Sequence, residues 1–320
     1  MKKALDINEQ MQRLKERGML FDDESKAKEI LLDVGFYRLG FYFFPFEQWY
    51  PSLDNRTHKL QSGTTFKAVY DLYEFDRQLR RILLNALDRI EVNVRTKITY
   101  IVSNHYKQSP TWFADKTIME TAYVDSFKSK VYDTILGNDV IKRHHAKHIN
   151  DKFAPAWKTI EFMTLGNIGC LYSAIKDQAL KRRIANEYGC SLGVFLNYLE
   201  TIRIIRNKCA HGNCIYSINF HNGIKAKPAG IIPDCRHNIS GAISVILYLL
   251  GCISINRRNE LESGIRSLLD ENKASQANKI IQECTKISLW FGLIKIYSYF
   301  CTTKSARTGY SRCICTIKGS

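Results

Sequence analysis

YEFDRQLRRILLNALDRIEVNVRTKITYI, Tyr73–Ile101, decides the fold class. Leu72, Phe75, Leu79, Ile82, Leu83, Ala86, Ile90, Val94, Ile98 and Ile101 recur at threes and fours, the spacing of one face of a helix. No Pro or Gly interrupts the pattern from Phe66 to about His105, so it reads as one long helix or two. Its other side carries Arg77, Arg80, Arg81, Arg89 and Arg95, interleaved with Asp76, Asp88 and Glu91. A mixed charged face of this kind is either a solvated surface or a contact for an anionic partner.

Outward from this segment the helical spacing continues. Toward the N-terminus, Asn8–Arg17 places Met11 and Leu14 on one face and stops at Gly18. Asp22–Val34 follows with Ile30, Leu31 and Val34 as its buried set. GFYRLGFYFFPF, Gly35–Phe46, is dense in aromatics; Pro45 and the short span leave strand and helix both open. Pro51–Gly63 reads as a loop.

Toward the C-terminus a looser section runs from Pro110 to about Pro155. In it KRHHAKH, Lys142–His148, sets His144 and His148 at i and i+4, with no acidic or cysteine ligand beside them, which favours a surface face over a metal site. PAWKTIEFMTLGNIGCLYSAI, Pro155–Ile175, reads as one or two helices, and Asp177–Tyr188 as a basic helix bearing Lys181, Arg182 and Arg183. Ser191 reads as the N-cap of Leu192–Ala210, whose core stripe is Phe195, Leu199, Ile202 and Ile205, with Gly212 and Asn213 as the stop. The longest uncharged run, Asn238–Asn256, approaches the length of a membrane span, but its Asn, Ser and Gly favour a buried core helix. The expected fold is all-α. A helical and aromatic segment over 1–63 precedes a helical core over 64–285. A divergent basic tail over 286–320, either docked or disordered, follows it.

Composition narrows the function. The chain has 320 residues, 45% hydrophobic and 12% aromatic, which excludes a disordered chain. It carries 47 Lys and Arg against 31 Asp and Glu, a net charge of +16, which favours nucleic acid or an acidic membrane surface as partner. Its 10 cysteines are scattered, with no CxxC pair. MKKALDINEQ turns polar too early for a signal peptide, so reduced thiols in the cytoplasm are expected.

RNKCAH, Arg206–His211, is the stretch that carries chemistry. It ends an apolar helix just before a stop signal, which puts its polar groups at a rim open to solvent. Asn207 and His211 share a face at i and i+4; Arg206 and His211 lie at i and i+5 and converge only through the length of the Arg side chain. A His in the last helical turn meets the negative end of the helix dipole, which favours imidazolium by about 0.3–1 kcal/mol. Such a pair suits RNA cleavage without a metal. The His moves a proton at the ribose 2′-OH or the leaving 5′-oxygen, and the Arg grips the scissile phosphate. The spacing alone equally fits an Arg paired with a carboxylate and a His capping a helix. A third reading takes Cys209, His211, Cys214, Cys235 and His237 as a metal or redox sensor, although their spacing is not that of a zinc site.

RNKCAH resembles the R-x4-H motif of HEPN ribonucleases, and its surroundings resemble the Abi-like (AbiD/AbiF) family over about residues 5 to 285. EQMQRLKERGMLFDDESKAKEILLDVGFYRLGFYFFPF resembles that family's N-terminal block. Asp76, Leu79, Arg80, Ile90, Glu91 and Arg95 match its D-x-x-LR … IE-x-x-x-R helix, and Pro155, Trp157, Glu161 and Gly166 match its P-x-W … E-x-x-x-x-G segment. The resemblance implies an α-helical HEPN-like bundle with extra helices at both ends. It also implies a role in abortive infection or toxin–antitoxin defence, and kinship with RNA-targeting CRISPR effectors. A homodimer pooling two R-x4-H motifs is expected, together with a small structured RNA that restrains the protein. Carried over, Arg206 would bind phosphate, His211 would be the acid/base, Asn207 would orient the pair, and Glu91 and Arg95 would support the site or simply form an intrahelical ion pair. Arg77, Arg80, Arg81, Lys181, Arg182 and Arg183 are the expected RNA contacts. No metal or other cofactor is expected. The alternative is a non-catalytic protein that binds a structured small RNA. Cys214 departs from the pattern, because relatives often carry a basic residue there.

Overall fold

The computed structural model describes residues 3–54 and 56–287. Among them the regular structure is helical and no strand forms; the pairs Leu20 and Thr65, Glu47 and Leu60, and Met119 and Ile175 are isolated bridges. Of the expected tail over 286–320, only the first two residues fall among those described.

Local chemistry sets the first helices. Asp6 accepts the Glu9 amide at 2.9 Å and Glu9 accepts the Asp6 amide at 2.8 Å, a reciprocal cap that starts α1, Ile7–Glu16. Asp23 caps α2, Glu24–Val34, through the Lys26 amide at 2.9 Å. Ile30 and Leu31 are buried as expected, whereas Val34 is half-buried. Gly35 takes a φ of 91°, which a side chain would resist, and the chain turns directly into α3, Phe36–Phe43. The aromatic segment is therefore helix, closed by a 3-10 turn over Phe44–Phe46 that holds Pro45. Leu39, Tyr42 and Phe43 face inward, while Tyr37 and Phe41 on the opposite side are 84% and 53% exposed.

The central element is α4, Phe66–His105, a single helix of 40 residues, which makes it about 60 Å long. The Thr65 hydroxyl caps it by accepting the Ala68 amide at 3.1 Å. Without Pro or Gly nothing breaks it, and its apolar stripe is buried from Phe66 to Val102. The remaining helices of seven or more residues are α5 (Thr121–Phe127), α6 (Asp139–Lys147), α7 (Leu165–Ala174), α8 (Gln178–Asn186), α9 (Leu192–Ala210), α10 (Ile239–Ile253), α11 (Ile255–Glu271) and α12 (Asn278–Thr285). α3, α9, α10 and α11 all pack on α4. α10 is apolar nearly all round and almost wholly buried, as a core helix must be. Among the described residues no helix is long and apolar enough to cross a membrane.

Three residues of the supposedly solvated face of α4, Asp76, Arg80 and Glu91, lie inside. Asp76 is 0% and Arg80 5% exposed. The Arg80 guanidinium and the Tyr42 hydroxyl, the latter at 2.8 Å, donate to Asp76 Oδ2. The amides of Ile215 and Tyr216 donate to Oδ1 at 3.1 and 2.7 Å. One carboxylate thus ties α4 to α3 and to the chain that follows α9. Burial raises its pKa, and Arg80, Tyr42 and both amides limit the rise. Every one of those neighbours is a donor, so the arrangement suits the ionised form. Replacing it, Asp76→Ala, strands the Arg80 charge and two amides. Unfolding in denaturant is expected to show a loss of about 3–5 kcal/mol; a loss near zero would remove Asp76 from the role of anchor.

Candidate active site

α9 spans Leu192–Ala210, as its periodicity predicts, with Ser191 at the N-cap position although its hydroxyl makes no capping bond. Its other end is built by RNKCAH and the glycine after it. His211 is the C-cap residue, Gly212 adopts φ 66°, and the amides of Asn213 and Gly212 return to the carbonyls of Lys208 (2.8 Å) and Cys209 (3.2 Å). This double bond pattern stops the helix at His211.

Three other parts of the chain grip that end. From α3, Arg38 Nη1 donates to the Gly212 carbonyl at 2.8 Å. From the N-terminal half of α4, Asp76 holds the Ile215 and Tyr216 amides, and Arg80 reaches the Asn213 carbonyl at 3.4 Å. Tyr216 stacks on Tyr42 with centroids 5.6 Å apart and donates to the Phe41 carbonyl at 3.1 Å. Further along α4, Glu91 is 8% exposed and lies between two arginines. Its Oε1 accepts from Arg95 Nη2 at 3.0 Å and its Oε2 from Arg206 Nε at 3.3 Å. Arg95 also donates to the Met163 carbonyl at 3.1 Å and stands 3.7 Å from Glu161. Glu91 and Arg95 therefore form the intrahelical pair, and Glu91 also reaches Arg206.

His211 itself is exposed, and among the described residues neither its ring nor the Asn207 side-chain carboxamide makes a hydrogen bond or ion pair. Arg206 and His211 make none with each other: Arg206 turns to Glu91, while the segment after His211 turns to α3.

The family model for Abi-like proteins matches residues 29–217. This chain belongs to the Abi-like family. The family associates it with abortive infection, a form of phage defence. The match is narrower than the block-by-block resemblance, but it takes in Arg38, Tyr42, Asp76, Arg80, Glu91, Arg95, Glu161 and all of RNKCAH, and it ends six residues past His211. The four motif blocks of this Abi-like chain, scattered in sequence, meet around the end of α9. No curated protein and no solved structure matches the chain.

The basic residues divide. Arg77, although tied to Glu74 at 2.6 Å, joins the exposed Arg81, Arg89 and Arg257 along a cleft of about 600 Å³ between α4 and α11. Arg182 and Arg183 are exposed on α8. Arg80 and Lys181 are not on the surface where the sequence pattern puts them. Lys181 is 8% exposed and donates to the Ser173 carbonyl at 3.0 Å, and Arg80 serves Asp76, because each stem packs against the core and its charge finds a partner inside.

The metal half of the sensor reading of this Abi-like protein finds no support in the geometry. No group of three or more His, Cys, Asp or Glu among the described residues could hold a metal. His237 Nδ1 lies 2.7 Å from the Phe220 carbonyl, and burial pushes the Cys209 thiol up to about 12 and raises that of Cys214. His144, expected on a surface face, is instead 4% exposed. It stacks on His148 at 4.8 Å, with the Asp151 carboxylate 3.2 Å from its Nε2; burial, and then Lys158, lowers its pKa.

Sequence reasoning missed Arg38, Tyr37 and Phe41. The signal lay in the i, i+4 spacing of Tyr37 and Phe41 within a segment left open between strand and helix. The grip of α3 on α9 yields a test. Gly212→Ala forces a left-handed residue at a cost of about 1–2 kcal/mol, and its Cβ would sit 3.2 Å from Arg38 Nη1. A lowered melting temperature, partly restored when Arg38→Ala is added, is expected; additive effects would show that the contact does not strain.

Proposed function

We propose that this Abi-like chain is a metal-independent endoribonuclease of the HEPN type, acting in abortive infection, with Arg206 and His211 as its cleaving pair. The observation that supports this reading best is His211 itself. An exposed imidazole without a side-chain partner closes a helix that three separate parts of the chain hold in place. A histidine that only capped the helix would need no such framework.

The chemistry balances without a metal. The ribose 2′-oxygen attacks phosphorus, its proton passes to a base, the P–O5′ bond breaks, and the leaving 5′-oxygen takes a proton. The products are a 2′,3′-cyclic phosphate and a 5′-hydroxyl. His211 serves as the acid/base, and Arg206 grips the phosphate and offsets the charge that builds on it. Asn207, one turn before His211 on the same face, orients the pair. Because Arg206 and His211 do not meet within one copy, a homodimer that pools two motifs is part of the proposal. RNA is the substrate, and a structured small RNA restrains the enzyme in the cytoplasm. The backbone is gripped by Arg77, Arg81, Arg89 and Arg257 in the α4/α11 cleft, with Arg182 and Arg183 on α8.

One observation favours a second reading. Arg206 is already paired with Glu91, which is what a non-catalytic RNA-binding protein would retain. Inducible expression of wild type and His211→Ala, following growth and total RNA, separates the two. Arrest with fragments bearing 2′,3′-cyclic phosphate ends, absent in the variant, is the expected result; equal arrest by both would remove His211 from the mechanism. The grip has its own test: Arg81→Ala with Arg257→Ala should weaken RNA binding and lower the slope of log affinity against log salt by about 0.7 per lost phosphate contact. An unchanged slope would place the RNA elsewhere.

A further inference from the structure

A cavity of about 710 Å³ opens between α3 and the end of α9, within the usual range for ligand pockets of about 300–1,000 Å³. Tyr37 and Phe41 form one wall. They are large aromatics, 84% and 53% exposed, set edge to face at 5.5 Å. A single exposed aromatic is ordinary. Two adjacent ones lining a cavity leave an unpaid stacking surface. Arg38 lies between them in sequence, and its bond to the Gly212 carbonyl fixes α3 beside the residue that follows His211. That bond uses one of five guanidinium donors.

Charge sets the class of ligand. The cations Arg38 and Lys208 line the cavity beside His221, and no Asp or Glu does. Ser217 and Asn219 add groups that both donate and accept. Aromatic faces, cations and small polar groups together match the base, the phosphate and the base edge of a nucleotide. The base must be unpaired, since bases inside a duplex are stacked and cannot lie on a side chain.

We infer that this cavity is a nucleotide subsite: one unpaired nucleotide of single-stranded RNA places its base on Tyr37 and Phe41 and its phosphate toward Arg38 and Lys208. The inference deepens the ribonuclease reading and rests on it for the meaning of the neighbouring His211. The subsite directs cleavage to unpaired segments, because a strand seated there runs past the end of α9.

Binding tests it apart from cleavage. The probe is a short single-stranded 2′-O-methyl oligoribonucleotide carrying 2-aminopurine, which lacks the attacking hydroxyl, alongside the blunt duplex of the same sequence. Binding to the full chain should quench the fluorophore. Tyr37→Ala with Phe41→Ala should weaken single-strand binding about 5- to 100-fold and leave duplex binding unchanged, while Tyr37→Phe should bind as wild type does. Unchanged single-strand affinity in the double alanine variant would overturn the proposal. So would loss of a dimer in that variant with RNA affinity intact, which would assign the aromatic pair to contact between copies. Cleavage of unmodified RNA is followed in parallel. Probe binding that depends on the aromatic pair, with no cleavage by wild type, would keep the subsite and defeat the ribonuclease reading. His211-dependent cleavage with no effect of the pair on binding would do the reverse.

Discussion

A carboxylate shut away from water must be surrounded by donors or it destabilises the fold around it, and Asp76 meets that demand from three directions. Arg80 comes from its own helix, Tyr42 from α3, and two backbone amides from the chain after α9. The Tyr42–Tyr216 stack and the bond from Tyr216 to the Phe41 carbonyl join the same elements, and the carboxylate stands at their meeting point. Packing against α4 brings helices together over broad faces and leaves their relative rotation loosely set. The buried charge fixes it, because donors must arrive within hydrogen-bond distance and from compatible directions. Burial, with Asp76 beside it, also keeps the Tyr42 hydroxyl protonated as a donor far above neutral pH.

Glu91 does the second half of this work along the same helix. Glu91 follows Asp76 by 15 positions, about 22 Å along α4. The first holds the backbone beyond RNKCAH and the second holds the Arg that opens it. The motif is thus suspended between two carboxylates on one rigid element. Arg95 balances Glu91 and carries the link on to Met163 and Glu161. Without Arg95, Glu91 would pair with Arg206 alone and hold its guanidinium more tightly.

Much of this was legible in the sequence, and the parts that were not share a cause. The stripe from Leu72 to Ile101 and the bounds of α9 follow from spacing, since burying an apolar face is a local requirement repeated every turn. Asp76 and Arg80 look from composition like members of a solvated face, because a one-dimensional pattern cannot distinguish a charge facing water from one facing a buried partner some 140 residues away. Lys181 and His144 were hidden for the same reason. The family blocks named Asp76, Arg80, Glu91 and Arg95 as a set without saying what they touch. Tyr37 and Phe41 were obscured by their setting: in a run this rich in aromatics, the two that point outward stand out only once the segment is known to be helical.

The bonds from Asp76 to Ile215 and Tyr216 span 139 and 140 positions of the chain. During synthesis at about 5–20 residues per second, Asp76 waits roughly 7 to 28 seconds before those amides are made. Until then the chain beyond the end of α9 lacks its hold on α4, and the framework around RNKCAH is incomplete. Loop closure over such a distance also comes late among folding events, after the local helices. The order of the chain therefore sets an interval in which α4 exists without two of the donors that its buried carboxylate requires.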